Sequence, residues 1–291
     1  NVYRAVWEGK PVADKYVSVL GEVENPVTVR VPIGTRISEV VAMAGRITTP
    51  NPVYLLGGPM MGGFGKDYQP VTKTTNAIIV LPADHSLVLR KTQKFETAVA
   101  RAASACCQCQ MCTDLCPRHA LGHPIQPHLF MRAAANRDFK DLEPFLNTMF
   151  CSACGLCEMF SCPQGLSPRT MITQYKNGLR KAGIKPPVVE PTPIKDSREY
   201  RRAWEGRLMA RLGLDKYEHP CLLDDNLRIA GEVKIMLSQH IGAPATACVN
   251  VGDSVKAGDI VGAAGNGLSV NIHASVDGIV QEVTKDYIII K

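Results

Sequence analysis

At 291 residues the chain is long enough for two or three domains. Its 45% hydrophobic and 21% charged residues are ordinary for a water-soluble protein, and its net charge of +6 is mild and spread out. No apolar run approaches the roughly 20 residues that span a bilayer, and no basic stripe is interleaved with aromatics, so direct membrane insertion and a nucleic-acid partner are both excluded as expectations. The chain opens on Asn1, without methionine or signal peptide, and its first residues read like the middle of something. The expectation is a piece of a longer protein whose N-terminal part is missing.

Residues 1–12 form a short helical piece ending at Gly9 and Pro11. Tyr16-Val-Ser-Val-Leu20 alternates like a strand, residues 21–26 turn, and Val27-Thr-Val-Arg-Val31 alternates again, giving a hairpin. Thr35 is an N-cap candidate, and behind it Ile37, Val40, Val41 and Ala44 keep helical spacing up to Gly45. Strands are predicted at 53–56 and 77–81. This reads as a β-grasp-like unit of about 75 residues, within the usual size of a domain. Between its last strands lies Gly57-Gly-Pro-Met-Met-Gly-Gly63. Gly57, Gly58, Gly62 and Gly63 are candidates for a ligand cradle, since glycine lets backbone N–H groups approach a bound group. A plain turn with positive φ is the competing reading.

A helix over 92–104 leads into the first of two cysteine runs. It reads Cys106-Cys107-Gln-Cys109-Gln-Met-Cys112-Thr-Asp-Leu-Cys116-Pro117. Without Cys107 this is C-x2-C-x2-C-x3-C-P, the spacing of a bacterial-type [4Fe–4S] ferredoxin. The second run, Cys151-Ser-Ala-Cys154-Gly-Leu-Cys157-Glu-Met-Phe-Ser-Cys162-Pro163, carries one extra residue before its last cysteine. Three thiolates converge from each tight loop onto one face of a cuboidal cluster. The fourth, just before proline, lies beyond reach of its own loop's cluster and crosses to the other. The metal ligands expected are therefore Cys106, Cys109, Cys112 and Cys162 for one cluster, and Cys151, Cys154, Cys157 and Cys116 for the second. Zinc also uses paired C-x2-C but has no use for a third cysteine at that spacing. A disulfide framework fits worse, because nine of the eleven cysteines fall in these runs and a chain this long needs no staples. A reducing compartment follows. Cys107 is out of register with the ligands and is expected to point away. His119, His123 and His128 lie nearby as tuning or packing residues.

Helical patterns over 128–136 and 138–149 separate the runs, and Ser167-Pro168 opens another helix. Residues 184–196 are a proline-rich connector. Residues 198–211 read as a charged helix whose Arg201, Arg202, Arg207 and Arg211 form a solvated face. From Ile229 onward the strands are short, and the turns Gly252-Asp-Ser-Val-Lys-Ala-Gly258-Asp and Ala274-Ser-Val-Asp-Gly278 mark a barrel-sandwich hybrid resembling biotinyl and lipoyl carriers. Residues 263–273, where a carrier lysine would stand, contain none, so covalent biotin or lipoate is not expected.

The three modules together resemble the RnfC-like family. The hairpin with its Gly57-Gly-Pro-Met-Met-Gly loop looks like an SLBB β-grasp domain. Leu237-Ser-Gln-His-Ile-Gly-Ala-Pro244 with the Gly252 turn is similar to that family's hybrid domain. A hybrid domain placed after the ferredoxin, and four residues before Cys162, match the PduS-type cobalamin-reductase branch of propanediol-utilisation microcompartments. The resemblance implies an α+β multidomain protein. Residues 1–14 would be the tail of a missing flavin/NADH-binding domain, 15–91 the SLBB β-grasp, 92–183 the two-cluster ferredoxin, 184–228 a connector and helix, and 229–291 the hybrid. It also implies two [4Fe–4S] clusters, FMN and NADH in the full-length protein, and cobalamin as substrate, docked by family suggestion at the glycine loop. His85 is a further guess for a corrinoid ligand. Partners would be a corrinoid adenosyltransferase and shell proteins, and the location the cytoplasm, inside a microcompartment. The alternatives are an RnfC-like component of a membrane ion-translocating complex and an iron–sulfur scaffold.

Overall fold

The computed structural model describes residues 1–190, 192–228 and 231–291. Pro191 of the predicted connector and Ile229, where the hybrid was expected to begin, lie outside the described residues. The chain divides into two compact units, residues 1–83 with 217–291, and residues 84–216.

Among the described residues, the first unit holds every strand. After helix α1 (Val2–Trp7), strands β1 (Asp14–Gly21) and β2 (Val27–Pro32) form the antiparallel hairpin, with Val17 opposite Val29. Helix α2 (Ile37–Ala42) follows, then β3 (Pro52–Leu56), β4 (Gly63–Gly65) and β5 (Ala77–Pro82). The alternation read from the sequence has a physical counterpart: Val17, Val19, Val29 and Val31 turn inward and pack with Ile37, Val40, Val41 and Ala44. Each of these valines and isoleucines contributes about 1.5–3 kcal/mol when fully buried. The N-cap of α2 is Arg36, not Thr35; Thr35 is buried and its hydroxyl donates to the Pro32 carbonyl at 2.9 Å. A sixth strand, β6 (Leu222–Leu227), lies parallel to β2 and completes the order β4-β3-β5-β1-β2-β6. It comes from the segment read as connector.

The hybrid part follows from β7 (Val233–Met236) through β8 (Thr246–Ala247), β9 (Ser254–Val255), β10 (Ile260–Ala263), β11 (Ile272–His273) and β12 (Gly278–Val283) to β13 (Tyr287–Ile290). Its two small sheets, β7-β13-β12-β9 and β11-β10-β8, share a core of Val233, Ile235, Val261, Ile272, Val280 and Ile288. It does not stand apart from the β-grasp. Lys234 N donates to the Gly34 carbonyl at 2.9 Å, Lys73 N to the Gln239 side chain at 2.9 Å, and the buried Ser275 hydroxyl to the Ile33 carbonyl.

The second unit is helical: α3 (Ser86–Lys91), α4 (Phe95–Ala105), α5 (Met111–Asp114), α6 (Pro117–Ala120), α7 (Pro127–Asn136), α8 (Glu143–Leu146), α9 (Pro168–Lys181) and α10 (Glu205–Leu212). Its core joins Ala98 and Ala102 to Phe130, Met131, Phe145, Met171 and Ile172. Phe130 meets Tyr175 edge-on at 5.3 Å. The helix expected over 198–211 is broken into a 3-10 turn (Asp196–Arg201) and α10, with Arg202 and Trp204 extended between them. Thr192 N and Lys195 N donate to the Gly122 and Ala120 carbonyls, which ties this segment along α6.

One position tests the β-grasp sheet. Gly21 has φ +95°, and a Cβ there would stand 2.0 Å from the Val80 carbonyl oxygen of β5. Gly21→Ala is expected to cost at least about 2 kcal/mol, read as a lowered urea midpoint of the first unit.

Candidate metal centre

Two cavities in the helical unit divide the thiols. Cys106, Cys109, Cys112 and Cys162 line one, a cavity of about 30 Å³. Cys116, Cys151, Cys154 and Cys157 line the other, of about 20 Å³. The eight residues expected as ligands are thus gathered in the same two fours, each completed by a cysteine from the opposite run.

The loops reach this arrangement by the same backbone device. Gln108 (φ 53°) and Gln110 (φ 62°) in the first correspond to Ala153 (φ 55°) and Gly155 (φ 84°) in the second. Left-handed residues on either side of the central cysteine curl the loop so that successive thiols face one side. Three of the four are not glycine, and each such residue costs on the order of 1 kcal/mol. The last cysteines also match: Cys116 has φ −73°, ψ 117° and Cys162 φ −72°, ψ 115°. This is the extended conformation that a following proline imposes. The extra residue of the second run is absorbed by a π-helical turn, Cys157–Ser161, where the first run has the α-turn α5.

That π turn is pinned by a residue with no signal in the sequence. Glu158 is 1% exposed, and its carboxylate accepts from Thr170 N at 2.8 Å, in the first turn of α9, and from the Thr170 hydroxyl at 3.2 Å. A carboxylate is favoured at a helix N-terminus. No local pattern marks it, because its partner lies twelve residues away.

Donors surround the sulfurs. Ala153 N approaches Cys151 Sγ at 3.3 Å, Leu166 N approaches Cys162 Sγ at 3.4 Å, and the Gln108 side-chain amide approaches Cys106 Sγ at 3.4 Å. His128 lines the first cavity, its Nδ1 2.7 Å from the Thr113 hydroxyl. His119 and His123 pack: the first bonds the Ile125 carbonyl, the second accepts from Arg118 and stacks on Phe150. Cys107 does not point away. It lines the first cavity, and its thiol hydrogen-bonds Cys109, because the left-handed Gln108 turns the loop back on itself.

The other candidates lie elsewhere. The glycine loop, in the first unit, is the turn joining β3 to β4. A Cβ at Gly62 would stand 2.5 Å from both the Gly58 and Leu56 carbonyl oxygens, so the turn itself demands that glycine, while Gly58 and Gly63 have open space. Gly57 has φ +91°. His85 caps α3, its Nδ1 accepting from Leu87 N and its Nε2 lying 3.1 Å from the Gly213 carbonyl. Both ring nitrogens are engaged, which leaves no lone pair for a corrinoid.

Three segments match described families: an SLBB domain over residues 16–63, a 4Fe-4S dicluster domain over 105–167, and an RnfC barrel sandwich hybrid domain over 225–290. Cobalamin reductase PduS of Citrobacter freundii is 38% identical over 292 aligned residues, and that of Salmonella typhimurium 39%. Each alignment covers 99% of this chain and 64% of the relative. The chain is thus similar along nearly its whole length to these two reductases. It spans 64% of the length of the two cobalamin reductases. A component of the ion-translocating oxidoreductase complex of Methanosarcina acetivorans is 37% identical over only 41% of this chain and 24% of its own length.

An iron–sulfur cofactor fits the helical unit: an all-thiol donor set, a cavity between the sulfurs, and N–H groups aimed at them. Without it, burial holds four of the thiols, Cys112, Cys116, Cys151 and Cys157, above their ordinary range. Burial and the neighbouring Cys162, Cys106 and Cys109 push the Cys112 thiol up to about 12. Cys157 lies well above its ordinary value, from burial and then from Glu158 and Cys151. Burial also raises Cys116 and Cys151. Cations gather at nearby carbonyls: Arg211 donates to Cys162 O and Arg90 to Glu158 O, each at 2.6 Å, and Lys176 donates to Cys151 O. They favour the charged, loaded state.

Two outcomes follow. Cys116→Ala should remove chiefly the iron held with Cys151, Cys154 and Cys157, about half the total, leaving the other set's spin signal. Loss of the other set instead would show that the thiols do not cross. Because the pKa values are raised, iron must displace protons. Anaerobic assembly should release acid and proceed further at about pH 8.5 than at about pH 7, as judged by iron and sulfide content.

Proposed function

We propose that this chain is the electron-transfer part of an NADH-dependent, flavin-containing cobalamin reductase, which reduces the corrinoid so that it can be adenosylated. The observation that carries this reading is the pair of cysteine-lined cavities, in a chain similar along nearly its whole length to cobalamin reductase PduS. The ligands are Cys106, Cys109, Cys112 and Cys162 for one [4Fe–4S] cluster, and Cys151, Cys154, Cys157 and Cys116 for the other. Bound there, the clusters supply one-electron steps between a hydride donor, which gives two electrons together, and a cobalt centre, which takes them singly.

The chain's own residues do the rest. The two left-handed loops orient the thiolates, and the N–H groups of Ala153 and Leu166 and the Gln108 amide tune the sulfurs. The FMN and NADH sites belong to a region outside this chain. A corrinoid adenosyltransferase and microcompartment shell proteins are the partners this reading assigns, in the cytoplasm and inside such a compartment.

Reduction of the reconstituted protein with dithionite separates this reading from a structural scaffold. Bleaching of the broad visible absorption, with a spin signal of two interacting centres, is expected. Centres that stay redox-silent across the accessible range would defeat the electron-transfer role.

A further inference from the structure

The four arginines read as a solvated face do not scatter into water. With Met111, Leu115, Phe160, Tyr200 and Trp204 they line one groove of about 640 Å³ within the helical unit. That is the size of a small-molecule site. Met111 directly precedes Cys112 and Leu115 directly precedes Cys116, and Pro163 lines both this groove and the cavity of Cys106, Cys109, Cys112 and Cys162.

Its chemistry is specific. Trp204 is 74% exposed and Tyr200 91%, an uncommon amount of large aromatic surface unless something covers it. Of the charged groups here, Arg201 pairs with Asp114 at 2.5 Å and Arg202 with Glu199, while Arg211 donates to the Cys162 carbonyl. Arg207 lies 6.0 Å from the Phe160 ring centre, and among the described residues no ion pair engages it. Four cations against two carboxylates leave an excess of two positive charges. Flat rings beside the Arg207 guanidinium, in a groove of net positive charge, suit a planar conjugated ligand bearing a phosphate: the rings stack and the guanidinium fork takes the anion.

We infer that this groove binds a planar, phosphate-bearing ligand beside the first thiol set. Two sources share that chemistry: a second flavin mononucleotide, beyond the one the proposed reading places outside this chain, and a corrinoid with its phosphodiester-linked nucleotide. The electron-transfer reading above enters only through the choice of these probes. Binding is measured on the oxidised protein, so its failure leaves the dithionite result untouched.

The test is equilibrium dialysis of the intact, cluster-loaded chain against flavin mononucleotide and riboflavin, and against aquocobalamin and nucleotide-free cobinamide. Quenching of Trp204 fluorescence in a Trp7→Phe background gives a second readout. In one of the two pairs the phosphate-bearing member should bind at least about tenfold tighter than its counterpart, and the pair that does so names the source. Arg207→Ala and Arg202→Ala should each weaken that binding about tenfold, with Arg207→Lys intermediate. Unchanged circular dichroism and iron content would show that the variants still fold. Equal affinity with and without phosphate, no binding of any probe below about 1 mM, or folded arginine variants that bind as tightly as the parent would each overturn the site.

Discussion

The helical unit depends on an exchange of cysteines between its two loops. Cys162 completes the cavity of the first run and Cys116 that of the second, so neither set of four thiols exists without the other loop in place. The backbone enforces the exchange twice. Each crossing cysteine is held extended by the proline behind it, at nearly identical angles. The π turn before Cys162 takes up the one residue by which the runs differ, and buried Glu158 anchors that turn to the start of α9. Helices α4, α7 and α9 then close a core around the loops, with Phe130, Phe145 and Tyr175 in mutual contact.

The electrostatics of the unit make sense only for the loaded state. Burial holds thiols such as Cys112 and Cys157 protonated in the bare fold. Yet Arg90, Arg211 and Lys176 direct their hydrogen bonds to carbonyls beside those thiols. Cations placed next to neutral thiols gain little, and next to thiolates they gain substantially at short range in a poorly solvated site. Bound clusters, which carry negative charge, would bring the chain's formal charge of +6 closer to zero. The arginine-lined groove shares Pro163 with the first thiol cavity, and its Arg211 donates to the Cys162 carbonyl.

In the other unit, two sequence modules share one folded body. The β-grasp sheet takes its sixth strand, β6, from residues just before the hybrid, and three hydrogen bonds join Gly34, Ile33 and Lys73 to hybrid residues. The hairpin β1–β2 and helix α2 are legible in the sequence because their apolar residues repeat at the strand and helix periods. Strand β6 is not. Leu222-Leu-Asp-Asp-Asn-Leu227 lacks alternation and is mostly exposed, and it becomes a strand only because the edge of β2 offers a partner. Helix α3 is hidden for a like reason: six residues capped by His85 carry too little periodicity to register.

What the sequence by itself determined is local in origin. Cysteine spacing specified two thiol loops and their prolines, the extra residue foretold a difference between them, and alternation drew the hairpins. These follow from backbone geometry over a few residues. Only the tertiary structure decided what depends on distant neighbours. It turned Cys107 into the first cavity although its register pointed it out, brought Glu158 to α9, left His85 as a cap, and folded Arg201, Arg202, Arg207 and Arg211 around a groove instead of along a solvated face. Each of these outcomes is set by which surfaces meet after the chain has closed on itself, and no spacing within a run encodes that.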